Sequence, residues 1–155
     1  MRIMRRTLTV MAMVFYTLVG TAALAADDID SHRSCNFCGM DRKAYGYSRM
    51  LIQYDDGTEA GVCSLHCAVT ELDANKNRTV KALLVADRED RRLVPAETAF
   101  WVIGGSKRGV MTQRPKWAFG TQAAAENFVR SYGGKIITWN EALAAAQEDA
   151  APAVR

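Results

Sequence analysis

The four cysteines constrain this chain more than any other feature. They come in two close pairs, Cys35-x2-Cys38 and, 24 residues later, Cys63-x3-Cys67. A two-residue spacer lets both thiolates of one turn grip a single ion, and two such pairs can complete a tetrahedral S4 set. If Cys63 joins a first helical turn, the i, i+4 spacing puts it on the same face as Cys67. The only histidines, His32 and His66, lie close in sequence to these pairs.

The N-terminus lies outside the fold argument. Arg2, Arg5 and Arg6 precede an apolar run from Leu8 to Leu24, and Ala23-Leu24-Ala25 has the pattern of a cleavage site. This is the layout of a cleavable secretory signal peptide over residues 1–25, and it predicts a periplasmic protein with no stable membrane anchor. Cleavage after Ala25 leaves 130 residues and no net formal charge, because the three arginines of the signal account for the +3 of the whole chain. A neutral mature chain gives no electrostatic footprint for nucleic acid. Export also bears on the cysteines, because an oxidising compartment favours disulfides.

Residues 26–34 are polar and read as a flexible arm. Gly39 permits a tight turn after Cys38. Alternation from Tyr47 to Tyr54 predicts a strand, Asp55-Asp56-Gly57 a hairpin turn, and 58–62 the returning strand. Ser64 can cap a helix running to about Asn77, and 79–86 is a further apolar, strand-like run. Arg88 to Arg92 reads as a solvated charged turn. The second half has the same rhythm: a strand at 99–103, a loop at 104–115, a strand at 116–119, a helix capped by Thr121, and a strand at 135–139. A final helix then starts at Asn140. The expected architecture is α+β with two small ββαβ modules in tandem, over 35–90 and 91–148, and a disordered tail at 149–155. One continuous sheet from the same elements is the alternative.

Within the first helix, Leu65, Ala68, Val69 and Leu72 define an apolar stripe. Cys67 lies roughly 160° around the wheel from Leu65, where the 35–40 loop could cover it. Cys63 falls at the helix N-terminus, which favours thiolate. His66 falls on the helix flank, as ligand, neighbour of a ligand or solvated surface.

Four readings of the cysteines stay open: two disulfides, a structural Zn2+ site, a dithiol redox pair, and a site for a soft ion. Methionine favours the last. Thioether binds Cu(I) well and Zn2+ poorly, and Met40 lies one residue beyond the Cys38-Gly39 step. Met50 falls on the apolar face of its strand and reads as core. Met111, in a Gly- and Arg-containing loop, is either a packing plug or a ligand.

Cys38-Gly39-Met40, Gly104-Gly105-Ser106 leading to Gly109-Val110-Met111, Ala118-Phe119 before a helix, and Gly133-Gly134-Lys135 together resemble the NosL family of nitrous oxide reductase accessory proteins. The resemblance runs from about Cys35 to Ala144. It implies a periplasmic Cu(I)-binding metallochaperone with two ββαβ modules, like those of organomercurial lyase. Its ligands would be Cys38 and Met40, with Met111 as a later methionine. The implied partner is a copper-accepting client such as nitrous oxide reductase or its assembly machinery. The chain departs from that pattern in lacking a lipid-anchoring cysteine and in carrying the extra thiols Cys35, Cys63 and Cys67; Cys63-x3-Cys67, with Cys38 before it, resembles the Cys…Cys-x3-Cys arrangement of TRASH-like metal-sensing domains.

The candidate ligands are therefore Cys38, Met40, Cys35, Cys63, Cys67, His66 and Met111. No catalytic residues are expected, because a metal carrier needs no general acid or base and the chain offers no convincing histidine–carboxylate pair. Besides the copper carrier, a zinc-binding structural or sensing module and a thiol-based organometal-cleaving enzyme remain as alternatives.

Overall fold

A computed structural model describes residues 24–151. Most of the expected signal peptide falls outside them. Among the described residues, no helix is long and apolar enough to cross a membrane.

The first half contains helix α1 (Leu24–Ser31), strands β1 (Met50–Tyr54) and β2 (Glu59–Val62), helix α2 (Leu65–Ala74), and strands β3 (Val80–Ala86) and β4 (Leu93–Pro95). The second half contains β5 (Phe100–Ile103), β6 (Lys116–Phe119), helix α3 (Gln122–Tyr132), β7 (Lys135–Ile137) and helix α4 (Trp139–Ala150). The strands form two sheets, in the orders β2-β1-β3-β4 and β6-β5-β7, so the continuous-sheet alternative is not adopted. In each half the first strand is central. It pairs antiparallel with its hairpin partner on one side and with the post-helix strand on the other. The two halves are thus topological repeats.

Local chemistry explains the boundaries. The β1–β2 hairpin turns at Gly57, whose φ of 82° suits glycine. Ser64 and Thr121 cap α2 and α3 by accepting the N–H of Cys67 and of Ala124. Thr138 and Glu141 form a reciprocal capping box that starts α4 one residue before the expected position. Strand β4, which the charged turn at 88–92 obscures in sequence, pairs with β3 through Ala86 and Leu93.

One buried cluster spans both halves. Met50, Ile52, Val62, Cys63, Cys67 and Ala68 pack there with Trp101, Ala142 and Ala146. Helix α4 covers the side of α2 that the β1–β2 hairpin leaves open. Helix α2 therefore buries Cys67 and Glu71 as well as its stripe, and has no wholly solvated face. A second cluster gathers Val102, Trp117, Phe119, Ala125 and Phe128 under α3.

The segment 26–34 is not a loose arm. Asp28 is 6% exposed, and Arg42 and Arg49 are fully enclosed at 0% and 1%. Both guanidiniums bind the Asp28 carboxylate at 2.8 Å. Burial pulls Arg42 below its ordinary value, and Asp28 opposes that pull. A charge is tolerated at such depth only when paired. Arg42 also donates to the carbonyls of His32, Met50 and Val62, which ties the N-terminal segment to the hairpin. Gly61 makes room for this crossing: a Cβ there would stand 2.5 Å from His32 and 2.7 Å from the Arg42 guanidinium.

Candidate metal centre

Cys35 and Cys38 sit on a tight loop over residues 35–40. The Cys35 N–H donates to the Met40 carbonyl at 2.8 Å, and the Gly39 N–H donates to the Cys35 carbonyl at 2.9 Å. Gly39 takes a φ of 76°, which a side chain would disfavour. The Asn36 N–H reaches the Gly61 carbonyl at 2.8 Å and lays the loop against β2. Cys63 occupies the single residue between β2 and the Ser64 cap, and the Ser48 hydroxyl donates to its carbonyl. Cys67 is in the first turn of α2.

These segments bring the sulfurs together. Cys38 Sγ lies 3.5 Å from Cys63 Sγ and 3.7 Å from Cys67 Sγ, and Cys63 and Cys67 are 3.6 Å apart. Cys35 completes a group of four whose sulfurs all lie within 4.8 Å of one another. All four are free thiols, well beyond the S–S bond length of about 2.05 Å. Three sulfurs around one ion at bonds of ~2.3 Å are separated by roughly 3.8 Å in tetrahedral geometry. The observed triangle is close to that size.

Cys35, Cys63 and Cys67 are buried, and Cys38 is half-buried. Hydrogen bonds from the Cys63 and Cys67 thiols pull the Cys35 thiol well below its ordinary range, against burial. The Cys38 and Cys63 N–H groups act in the same direction. The Cys63 thiol is pushed up to about 12, first by its bond to Cys35. Cys67 is pushed up further by Cys35, Cys63 and burial. Without metal, mutual hydrogen bonding thus favours negative charge at Cys35 and disfavours it at Cys63 and Cys67. A soft cation bound by these sulfurs would displace the protons its ligand thiols retain.

The structure treats the other candidates unequally. Met40 is half-buried against the cluster that contains the cysteines. Met50 is fully buried core, as its strand position predicts. His66 lies outside the four-thiol group, and its Nδ1 is buried without a partner. Met111 is 42% exposed and so is not a packing plug. It lies in the left-handed region, φ 57°, on the β5–β6 loop, beside a 630 Å3 cavity that Lys107 and Arg108 also line. The neighbouring Val110, rather than Met111, enters the core. His32 pairs with Glu59 across 27 positions at 3.3 Å, a contact that local spacing could not reveal. The pair is partly solvated and stands apart from the thiols.

The NosL family model matches residues 26–146. Among solved structures, the copper chaperone NosL from Shewanella denitrificans is similar at a TM-score of 0.58 and 24% identity. That alignment covers 79% of this chain and 96% of that one, and the likeness is one of fold. No curated protein matches the chain.

Proposed function

The chain belongs to the NosL family, and from that premise we propose that it carries copper as Cu(I) on Cys38, Cys63 and Cys67 and yields it to a client protein. The family is not one of enzymes. The observation that carries the proposal is the triangle of sulfurs with edges of 3.5, 3.6 and 3.7 Å. Thiolate and thioether suit a soft monovalent ion, and a three-sulfur set leaves a position for an invading ligand. We assign Met40, which packs against the buried cluster that includes these cysteines, as the thioether that joins them. The printed description of the similar Shewanella protein, a copper chaperone, favours copper over other soft ions.

Cys38 is the one thiol of the four that reaches the surface. Transfer would begin there. A soft ligand of the acceptor donates to the ion, the Cys38 bond is released, and Cys63 and Cys67 follow from the inside. Copper stays monovalent throughout, so no electron moves. The natural acceptor in this reading is nitrous oxide reductase or its assembly machinery. The site would be periplasmic, because the family match starts at residue 26, directly after the expected cleavage point.

Structural zinc is the second reading. It is favoured by the fourth sulfur, since Cys35 lies within reach of an S4 set. Metal analysis and anaerobic Cu(I) competition titration of reduced protein separate the two. One Cu(I) per chain, removable by a chelating acceptor, supports carriage. Tightly held zinc that Cu(I) does not displace overturns it.

A further inference from the structure

The repeated unit is longer than ββαβ, because each half is preceded by the same loop. In the first loop, Cys35 N–H donates to Met40 O at 2.8 Å and Gly39 N–H to Cys35 O at 2.9 Å. In the second, Asp87 N–H donates to Arg92 O at 2.8 Å and Arg91 N–H to Asp87 O at 2.9 Å. The fifth residue of each is left-handed, Gly39 at φ 76° and Arg91 at φ 63°. Ser34 bridges Asp41 just outside the first loop, as Ala86 pairs with Leu93 outside the second. Cys35 and Asp87 are therefore equivalent positions.

Their side chains also make the same reach, to the backbone N–H just before a helix cap. The Asp87 carboxylate accepts the N–H of Glu89, within its own loop, and reaches across to the N–H of Gly120 at 2.6 Å. Gly120 is the residue between β6 and the Thr121 cap. The Cys35 sulfur occupies the equivalent place in the first loop. It then reaches across to the N–H of Cys63 at 3.3 Å, the residue between β2 and the Ser64 cap. The second half performs this act with no metal-capable group at the place, since among the described residues the only such group is the four cysteines. The act is therefore complete as an anchor, independent of any ion.

We propose that Cys35 is a positioning residue whose sulfur fixes the Cys38 loop to the Cys63 helix start, as Asp87 fixes the second loop, while Cys38, Cys63 and Cys67 take the ion. The ligand assignment rests on the copper reading; the anchoring does not. A site assembled from segments 24 residues apart needs their register held before metal arrives. The buried Cys35 sulfur, held in the loop by the backbone bonds of its own residue and bonded to the Cys63 N–H, supplies it.

The test compares Cys35→Ala, Cys35→Asp and Cys35→Ser with Cys38→Ser in reduced protein. Amide exchange of Cys63 without metal reads the anchor. Cys35→Ala should speed it by about tenfold or more, and Cys35→Asp should restore protection. Should the aspartate variant fail to fold, Cys35→Ser keeps a smaller acceptor and is read in its place. For Cu(I), Cys35→Ala should weaken binding by about tenfold or more, and the acceptor variant should return it to within about threefold of wild type. An unchanged Cys63 exchange rate in Cys35→Ala overturns the anchor. An acceptor variant that protects the Cys63 amide yet loses Cu(I) as fully as Cys38→Ser makes Cys35 a ligand and overturns the division of labour. If wild type binds no Cu(I), the functional reading fails, and the exchange measurement alone still decides the anchor.

Discussion

The sulfurs of Cys38 and Cys67 lie 3.7 Å apart although 29 positions separate the two residues, and only Cys38 is open to solvent. A thiol reagent should therefore discriminate between them. In reduced, metal-free protein, N-ethylmaleimide should modify Cys38 first, as read by mass spectrometry of peptides. One equivalent of Cu(I) should slow that modification by about tenfold or more, because the lone pair that attacks the reagent is then committed to the ion. Equal rates with and without Cu(I) would place the ion elsewhere.

Met40 supplies the discrimination between metals. Its backbone carbonyl closes the loop by accepting from Cys35, a role any residue retains, whereas its thioether is dispensable to that loop. Met40→Leu keeps volume and removes sulfur. We expect it to weaken Cu(I) binding by about tenfold, roughly 1.4 kcal/mol, in a competition titration. Zn2+ affinity should hardly change, since thioether is a poor ligand for it. Unaltered Cu(I) affinity would remove Met40 from the site.

Asp28 is the keystone of the N-terminal segment. Asp28→Asn keeps the shape and removes the charge that two enclosed guanidiniums share. Removing one partner from such a buried network costs about 3–5 kcal/mol. Urea unfolding of metal-free, reduced protein should register that loss. A change below about 1 kcal/mol would mean that residues 26–34 are not docked in solution.

What the sequence made legible was short in range. Strand alternation, the Asp56-Gly57 turn and the Ser64 and Thr121 caps are local signals, and the elements formed where they pointed. Cysteine pairing was legible because each pair is itself local, and the fold had only to join two pairs. Asp28 was not legible. It stands in an Asp-rich stretch that looks solvated, and its partners Arg42 and Arg49 lie 14 and 21 positions away. Nor was the equivalence of Cys35 and Asp87, because it resides in backbone geometry while the side chains differ in element and charge. The off-stripe angle of Cys67 did indicate that something other than the helix's apolar stripe covers it. It could not indicate that α4 closes much of the rest of α2, since that helix comes from the opposite half.

The β5–β6 loop that carries Met111 is tied at its base to the last turn of α4 through Asp149. That carboxylate accepts from Thr112 at 2.8 Å and Arg114 at 2.7 Å, and it also pairs with Lys116. Burial alone would raise its pKa; hydrogen bonds from Lys116, Arg114 and Thr112 outweigh burial and hold it at about 2. A folded value below the unfolded one means that the stabilisation is fully present above about pH 4 and is lost as pH falls through about 2. The side chain is 16% exposed, so solvent screens part of the interaction, and about 1–2 kcal/mol is the expected size. Asp149→Asn should be less stable than wild type by this amount at pH 7. The gap between them should close on acidification from pH 4 towards 2, because protonation makes the wild-type side chain neutral as well. The other carboxylates, Asp41, Asp56, Asp90 and Glu141, are held low by their own partners, so both proteins lose stability in acid and only the difference isolates Asp149. Denaturation midpoints at a series of pH values check it. Parallel curves with a constant gap would show that the ion cluster does not hold the loop, and that Met111 keeps its strained conformation by packing of Val110 alone.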